Sequence, residues 1–206
     1  MREIENAEIK KALLHLKKDK AFAKLLKEFP APVLTPRKKY FSALVRSIIY
    51  QQLSGKSAQS IEKKFLGLFP QNIPKEALVL SLSDEDFKKS GVSPQKMKYL
   101  RDLALKFTDG TVNPKKFHKM TDGEISQHLI TVKGVGVWTT HMFLMFTLNR
   151  LDVLPTGDLG IQKGFKVMYK MKNLPDEKKM NKLAKKWKPY RTIASTYLWK
   201  VADRNK

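Results

Sequence analysis

Two glycines set two apart, and an aspartate further along, are the residues of this sequence best suited to chemistry. The run Leu129-Ile130-Thr131-Val132-Lys133-Gly134-Val135-Gly136-Val137-Trp138-Thr139-Thr140 places Gly134 and Gly136 between two helical patterns. Glycine there lets the backbone take a positive φ, and it lets a phosphate approach the peptide N–H groups with no Cβ in the way. The helix that follows offers its N-terminus, whose unpaired amides and partial positive charge suit an anion. A G-x-G is equally the mark of a tight turn between packed helices, and the spacing alone leaves both readings open. Asp158 follows 22 residues after Gly136, within Leu154-Pro155-Thr156-Gly157-Asp158-Leu159-Gly160. Aspartate before an apolar helix start is a favoured N-cap. The same helix end favours the ionised carboxylate, so a capping role and a reactive role are compatible. Asp152, inside an apolar stretch, is the weaker candidate.

Trp138, Tyr50, Tyr190 and Trp199 could wall a pocket for a flat, electron-poor ring, since an aromatic face over a cation is worth about 0.5–2 kcal/mol. Large aromatics in helices are as readily core. Trp199 stands apart by phase: Ile193, Ala194, Tyr197, Leu198 and Val201 form one apolar face, and Trp199 points off it. The sequence holds no cysteine and four scattered histidines, which excludes disulfides, thiolate zinc sites and cysteine-ligated iron–sulfur clusters. No metal site and no cofactor are expected.

These residues sit in 206 residues that are 42% apolar, enough for a real core. Lysine and arginine number 41 against 19 acids, a formal charge of +22. A chain this basic binds polyanions, nucleic acid first among them. No apolar run approaches the ~20 residues that cross a bilayer, so no membrane association is expected. The polar N-terminus lacks a signal-peptide core, and the expected location is cytoplasmic, nucleoid-associated if the source is bacterial.

The positioning elements read as helices throughout. Ile9, Leu13, Leu16, Phe22, Leu25, Leu26 and Phe29 predict two short helices with Asp19 as the cap between them; Pro30, Pro32 and Pro36 end the unit. Phe41, Leu44, Val45, Ile48 and Ile49 mark a helix from Tyr40 to about Gln51. Further helices are expected over Ser57–Leu68, over Leu80–Phe87 with Ser83 as a cap, and from Ser93-Pro94 to Phe107 with proline at the first position. Thr121 and Glu124 form a capping box for the next. Val137–Leu148 is apolar on almost every side, the pattern of a central buried helix. Helices over 158–171, 176–185 and 189–203 complete an all-α fold with no strand. The lysines at 178, 179, 182, 185, 186 and 188 read as solvated helix faces, some of them tracking phosphates.

The hairpin glycines followed by Pro155 and Asp158 resemble the helix-hairpin-helix Gly/Pro–Asp superfamily of base-excision DNA glycosylases. Ile48-Ile49-Tyr50-Gln51-Gln52-Leu53-Ser54 resembles the helix and loop that place a wedge into the duplex. Gly91-Val92-Ser93-Pro94-Gln95-Lys96-Met97-Lys98-Tyr99-Leu100 and Trp187-Lys188-Pro189-Tyr190-Arg191 to Trp199 resemble segments of the 3-methyladenine-DNA glycosylase II family. The resemblance runs over about residues 19–203 in order.

It implies a two-lobed helical unit over 1–206, its hairpin motif at about 122–148, its N-terminal helices packing with the C-terminal lobe, and no extra N-terminal β-domain. It implies a base-excision enzyme on double-stranded DNA with damaged, alkylated bases, acting as a monomer, with Asp158 catalytic. Lys133, Gly134, Val135, Gly136 and Thr139 would hold DNA, while Gln51, Gln52 or Leu53 fills the gap left by the flipped base. Trp138, Tyr50, Tyr190, Trp199, Met142 and Leu159 would line the base pocket. Relatives that also cut the backbone carry a lysine two residues after the second hairpin glycine. Trp138 stands there and has no nucleophilic amine, which implies a glycosylase without lyase activity. Met142 and Leu159 replace aromatic pocket residues of the larger relative. Two rival readings stay open: a non-catalytic hairpin module, and a glycosylase for deaminated or oxidised bases.

Overall fold

The computed structural model describes residues 6–35 and 39–204; Pro36 and the N-terminal residues read for export lie outside them. Among the described residues the chain is helical and has no strand. The helices are α1 (Asn6–Leu16), α2 (Lys20–Glu28), α3 (Tyr40–Tyr50), α4 (Gly55–Leu66), α5 (Glu76–Ser81), α6 (Asp84–Lys89), α7 (Pro94–Thr108), α8 (Asp122–Ile130), α9 (Val137–Phe146), α10 (Leu159–Met168), α11 (Glu177–Ala184) and α12 (Arg191–Arg204). Short 3-10 turns lie at Pro70–Asn72, Pro114–Lys119 and Lys185–Trp187. No helix among the described residues is long and apolar enough to cross a membrane.

The caps explain where several helices begin. Asp19 accepts the Ala21 N–H ahead of α2, Ser93 precedes the proline that opens α7, and Ser83 and Thr121 each form a capping box, with Asp86 and Glu124. Each such cap is worth about 1 kcal/mol. Two elements depart from the sequence pattern. α4 starts at Gly55 because Ser54 supplies the cap, and the single helix expected over Leu80–Phe87 is two, α5 ending at Ser81 and α6 starting at Asp84 under the Ser83 cap, since α5 is six residues with Val79 alone buried and too short to show a period.

Contacts divide the chain into two compact units, one of residues up to 35 with those from 144 onward, the other of residues 39–143. In the first, α1 and α2 share a core with α10, α11 and α12: Leu16, Phe22, Phe165, Trp187 and Tyr197 are buried there. The Trp187 ring stacks on Phe165 at 5.1 Å and takes the edge of Phe22 at 5.3 Å. At the rim of that cluster the buried Asp19 accepts from Trp187 Nε1 at 3.0 Å, Tyr169 Oη at 2.9 Å and Lys186 Nζ at 2.9 Å. In the second unit α3 packs on α4 and α7, and α5 on α7, around Leu44, Ile48, Phe65, Phe87, Leu100, Leu103, Ile125 and Leu129, all essentially inaccessible.

Candidate active site

In the second unit the chain reverses between α8 and α9. Val132 and Val135 are buried and pin the hairpin to the core, and the Val135 N–H closes on the Val132 carbonyl at 3.0 Å. Gly134 has φ +80°, and a Cβ there would lie 2.2 Å from the Tyr99 ring, so both backbone and space require glycine. Gly136 is different: a Cβ there meets nothing within 4 Å. The space beside it is open. Among the described residues the amides of Gly134, Gly136 and Val137 have no acceptor within the protein. Backbone donors beside open space, at the start of a helix, are suited to a phosphate oxygen.

The hairpin is mounted on α7. Asp102 Oδ2 accepts the Lys133 N–H at 2.8 Å and Lys106 Nζ at 2.9 Å. Burial pushes the Asp102 carboxyl up, but the Lys133 N–H and the Lys106 ammonium outweigh it and hold it below the ordinary carboxylate value. Lys106 donates as well to the Thr131 carbonyl. The turn after α3 is tied to the same parts: Gln51 Nε2 donates to the Gly134 carbonyl at 2.7 Å, and Lys96 Nζ donates to the carbonyls of Ile49 and Gln51 at 2.6 and 2.8 Å. Next, Gln52 takes φ +55°, a left-handed conformation uncommon outside glycine, and Leu53 is exposed.

In the first unit, Pro155-Thr156-Gly157-Asp158 makes a reverse turn, closed by the Asp158 N–H on the Pro155 carbonyl at 3.0 Å. Asp158 is the N-cap of α10, and its Oδ1 accepts two donors, the Ile161 N–H at 2.9 Å and Trp199 Nε1 at 2.8 Å. Gly160 makes room for the indole, since a Cβ there would lie 2.7 Å from Trp199 Cδ1. A carboxylate so oriented at a helix N-terminus can face developing positive charge. Asp152 is engaged otherwise, gripped by Arg191 through Nε at 2.6 Å and a terminal nitrogen at 2.9 Å.

The other expected residues separate by environment. Trp138 and Leu159 are 48% and 53% exposed, while Met142 is half-buried. The start of α9 is therefore not the buried helix its composition suggested: Val137 and Trp138 stand open while Phe143, Leu144 and Met145 carry the core contacts. Trp199, expected as a pocket wall, is the hydrogen-bond partner of Asp158, and its ring packs near Phe146 at 5.9 Å. Tyr50 donates to Glu62 at 2.8 Å under the Arg46 guanidinium, and Tyr190 donates to Glu8 at 3.2 Å with its ring against His15. Both tyrosines are thus held by partners in their own units. Val135 and Thr139, expected to hold DNA, are each 4% exposed. Sequence reasoning gave Lys96 and Tyr99 no role beyond their place in a resembling segment, and it missed Asp102 and Lys106. The spacing of these four along α7 puts them on one strip of about 120°, at roughly 100° per residue, and that polar strip was the available signal.

Comparison with known proteins finds a match of residues 45–189 to the profile described as HhH-GPD superfamily base excision DNA repair protein. The DNA-3-methyladenine glycosylase of Saccharomyces cerevisiae is 31% identical over 94% of this chain and 76% of its own length. A Bacillus subtilis relative, 28% identical over 79% of this chain, is longer, and the match spans 59% of it. Among solved structures, a DNA-3-methyladenine glycosidase from Bacillus halodurans superposes with a TM-score of 0.84 at 33% identity, covering 98% of this chain and 93% of that one. The Schizosaccharomyces pombe 3-methyladenine DNA glycosylase in complex with abasic DNA gives 0.82 at 28% identity, over 92% and 95%.

Proposed function

The chain belongs to the HhH-GPD superfamily of base excision DNA repair proteins, and on that footing we propose that it is a monofunctional DNA glycosylase, hydrolysing the N-glycosidic bond of alkylated bases such as 3-methyladenine. The observation that carries the reading is the Asp158 carboxylate, aimed by the Ile161 amide and the Trp199 indole on one oxygen and lying inside the matched segment. Its substrate is double-stranded DNA with a damaged base, which it engages as a monomer in the nucleoid or cytoplasm.

The backbone amides of Gly134, Gly136 and Val137 grip a phosphate, with the exposed Lys133 adding charge. Extruding the base costs a few kcal/mol, less where damage weakens its stacking. Gln51 is committed to Gly134, so Gln52 and Leu53 are left to fill the gap. Trp138 and Met142, both in the second unit, offer surface to the base. As the glycosidic bond breaks, its electron pair leaves with the base and positive charge builds on the sugar, as in glycoside hydrolysis. Asp158 faces that charge and accepts the proton that the attacking water gives up as its oxygen bonds to the anomeric carbon. Trp138 has no amine with which to form a Schiff base, so the sugar is left as an intact abasic site.

The test is release of free 3-methyladenine from methylated duplex DNA by the wild type and by Asp158→Asn, with strand scission read before and after alkali. The expected result is base release by the wild type, strands intact until alkali, and a variant that binds DNA but is slowed by about 10²–10³-fold or more, the loss seen when a preorganised electrostatic group is removed. Excision of uracil, hypoxanthine or an oxidised purine in preference to alkylpurines would move the reading to the rival substrate class. Binding without any base release would reduce the protein to a DNA-binding module.

A further inference from the structure

Four residues on one strip of α7 hold both loops of the second unit that lie open at the hairpin and the turn after α3. Lys96 binds the Ile49 carbonyl near the end of α3 and the Gln51 carbonyl, Tyr99 fills the space under Gly134, Asp102 takes the Lys133 N–H, and Lys106 bridges Asp102 to Thr131. One direct strut joins the two loops, the 2.7 Å hydrogen bond from Gln51 Nε2 to the Gly134 carbonyl. A side chain spent this way is not available to enter a duplex. Its neighbour Gln52 is thrown outward by its left-handed backbone, with Leu53 beside it.

We propose that Gln51 is a positioning residue that couples the gap-filling turn at Gln52 and Leu53 to the phosphate-binding hairpin, so that the wedge stands at a set distance from the gripped phosphate. The proposal rests on the glycosylase reading only in taking both loops to face DNA. Because Gly134 supplies the carbonyl from the same peptide-rich bend whose amides stay open, a phosphate seated on the hairpin also steadies the carbonyl that holds Gln51. The wedge is then presented in its working place when the hairpin is occupied. Lys96 supports this from below: it is half-buried, burial lowers its pKa, and its ammonium donates to the backbone oxygens of Ile49 and Gln51, with no acid paired to it among the described residues. The strut itself is solvent-accessible, so removing it alters the link without opening the core.

The experiment compares wild type with Gln51→Met, which keeps the length and loses the donor, and with Gln51→Ala. Amide hydrogen exchange is read on each protein, free and bound to a duplex carrying a tetrahydrofuran abasic analogue. In the wild type the hairpin amides and those of Gln52 and Leu53 gain protection together. In Gln51→Met the hairpin amides are still protected, while protection at Gln52 and Leu53 falls by about tenfold or more. Single-turnover excision of 3-methyladenine then drops at least tenfold on a fully paired duplex and by less than threefold on single-stranded DNA, where no gap has to be filled. Equal protection of both loops in the variant, or equal losses on paired and single-stranded substrate, overturns the coupling. Exchange needs no base release, so failure of the glycosylase reading and failure of this one are separately visible. A cooperative melt matching the wild type guards against misfolding, and the Ala variant repeats the test should the Met side chain disturb the loop.

Discussion

Asp158 and Trp199 form the most informative pair at the scale of single residues. The indole donates to the same oxygen that caps α10, so the ring positions the carboxylate and need not touch the base. Trp199→Phe keeps the packing near Phe146 and removes the N–H, which takes the indole donor from Asp158 Oδ1 and leaves the Ile161 amide in place. Single-turnover excision is expected to fall by about tenfold, the value of one hydrogen bond to a charged group at 1.5 kcal/mol or so, with the affinity for abasic duplex unchanged within about twofold. A loss of affinity with an unaltered rate would return Trp199 to the role of stacking wall. Asp158 was legible in the sequence through its Pro-x-x-Asp context and its helix start. Its partner was not, because a contact across 41 positions leaves no trace in local spacing beyond the phase that turned Trp199 off the apolar face.

At the scale of elements, the hairpin shows that two glycines in one motif do different work. Gly134→Ala meets a left-handed φ and the Tyr99 ring together, and is expected to destabilise the protein by about 2–3 kcal/mol, read as a lowered midpoint in chemical denaturation. Gly136→Ala has room for its Cβ and is expected to change stability by less than about 0.5 kcal/mol. It brings a methyl to the open side of the hairpin, however, and should weaken duplex binding by about tenfold in a titration. Unchanged affinity in a folded Gly136→Ala protein would mean that the phosphate does not approach there. Helix starts could be read from their caps, while α5 and the true exposure of the first turn of α9 could not. Short elements carry too few residues for a period, and an all-round apolar helix does not say which end is covered.

For the molecule as a whole, charge and acid sensitivity are the accessible properties. With +22 formal charges, affinity for undamaged duplex should fall steeply with salt, and Lys133→Gln should lessen the log–log slope by about 0.9 if that lysine neutralises one phosphate. An unchanged slope would place Lys133 off the DNA. In the first unit, burial raises the Asp19 carboxyl, but Trp187, Lys186, Tyr169 and the Ala21 amide outweigh it and hold it below the ordinary value. A depressed folded pKa contributes stability that is present in full above the unfolded value near 3.9 and is lost as pH falls through the folded value. Asp19→Ala should therefore lower stability at pH 7 by about 3 kcal/mol, as for other broken buried pairs, and flatten the acid limb of stability measured by urea melts between about pH 2 and 4. An acid limb identical to the wild type would show that Asp19 does not govern it.

The sequence by itself determined the helical class, most helix starts, the glycine hairpin and the aspartate beyond it. All of these are local, set by hydrophobic period, capping side chains and backbone freedom over a few residues. Only the tertiary structure decided how donors were assigned: Gln51 to Gly134, Asp102 to Lys133, Trp199 to Asp158, and Tyr50 and Tyr190 to acids of their own units. A polar side chain is satisfied by whichever partner packing brings within about 3 Å, and that choice is made by elements far apart in the chain.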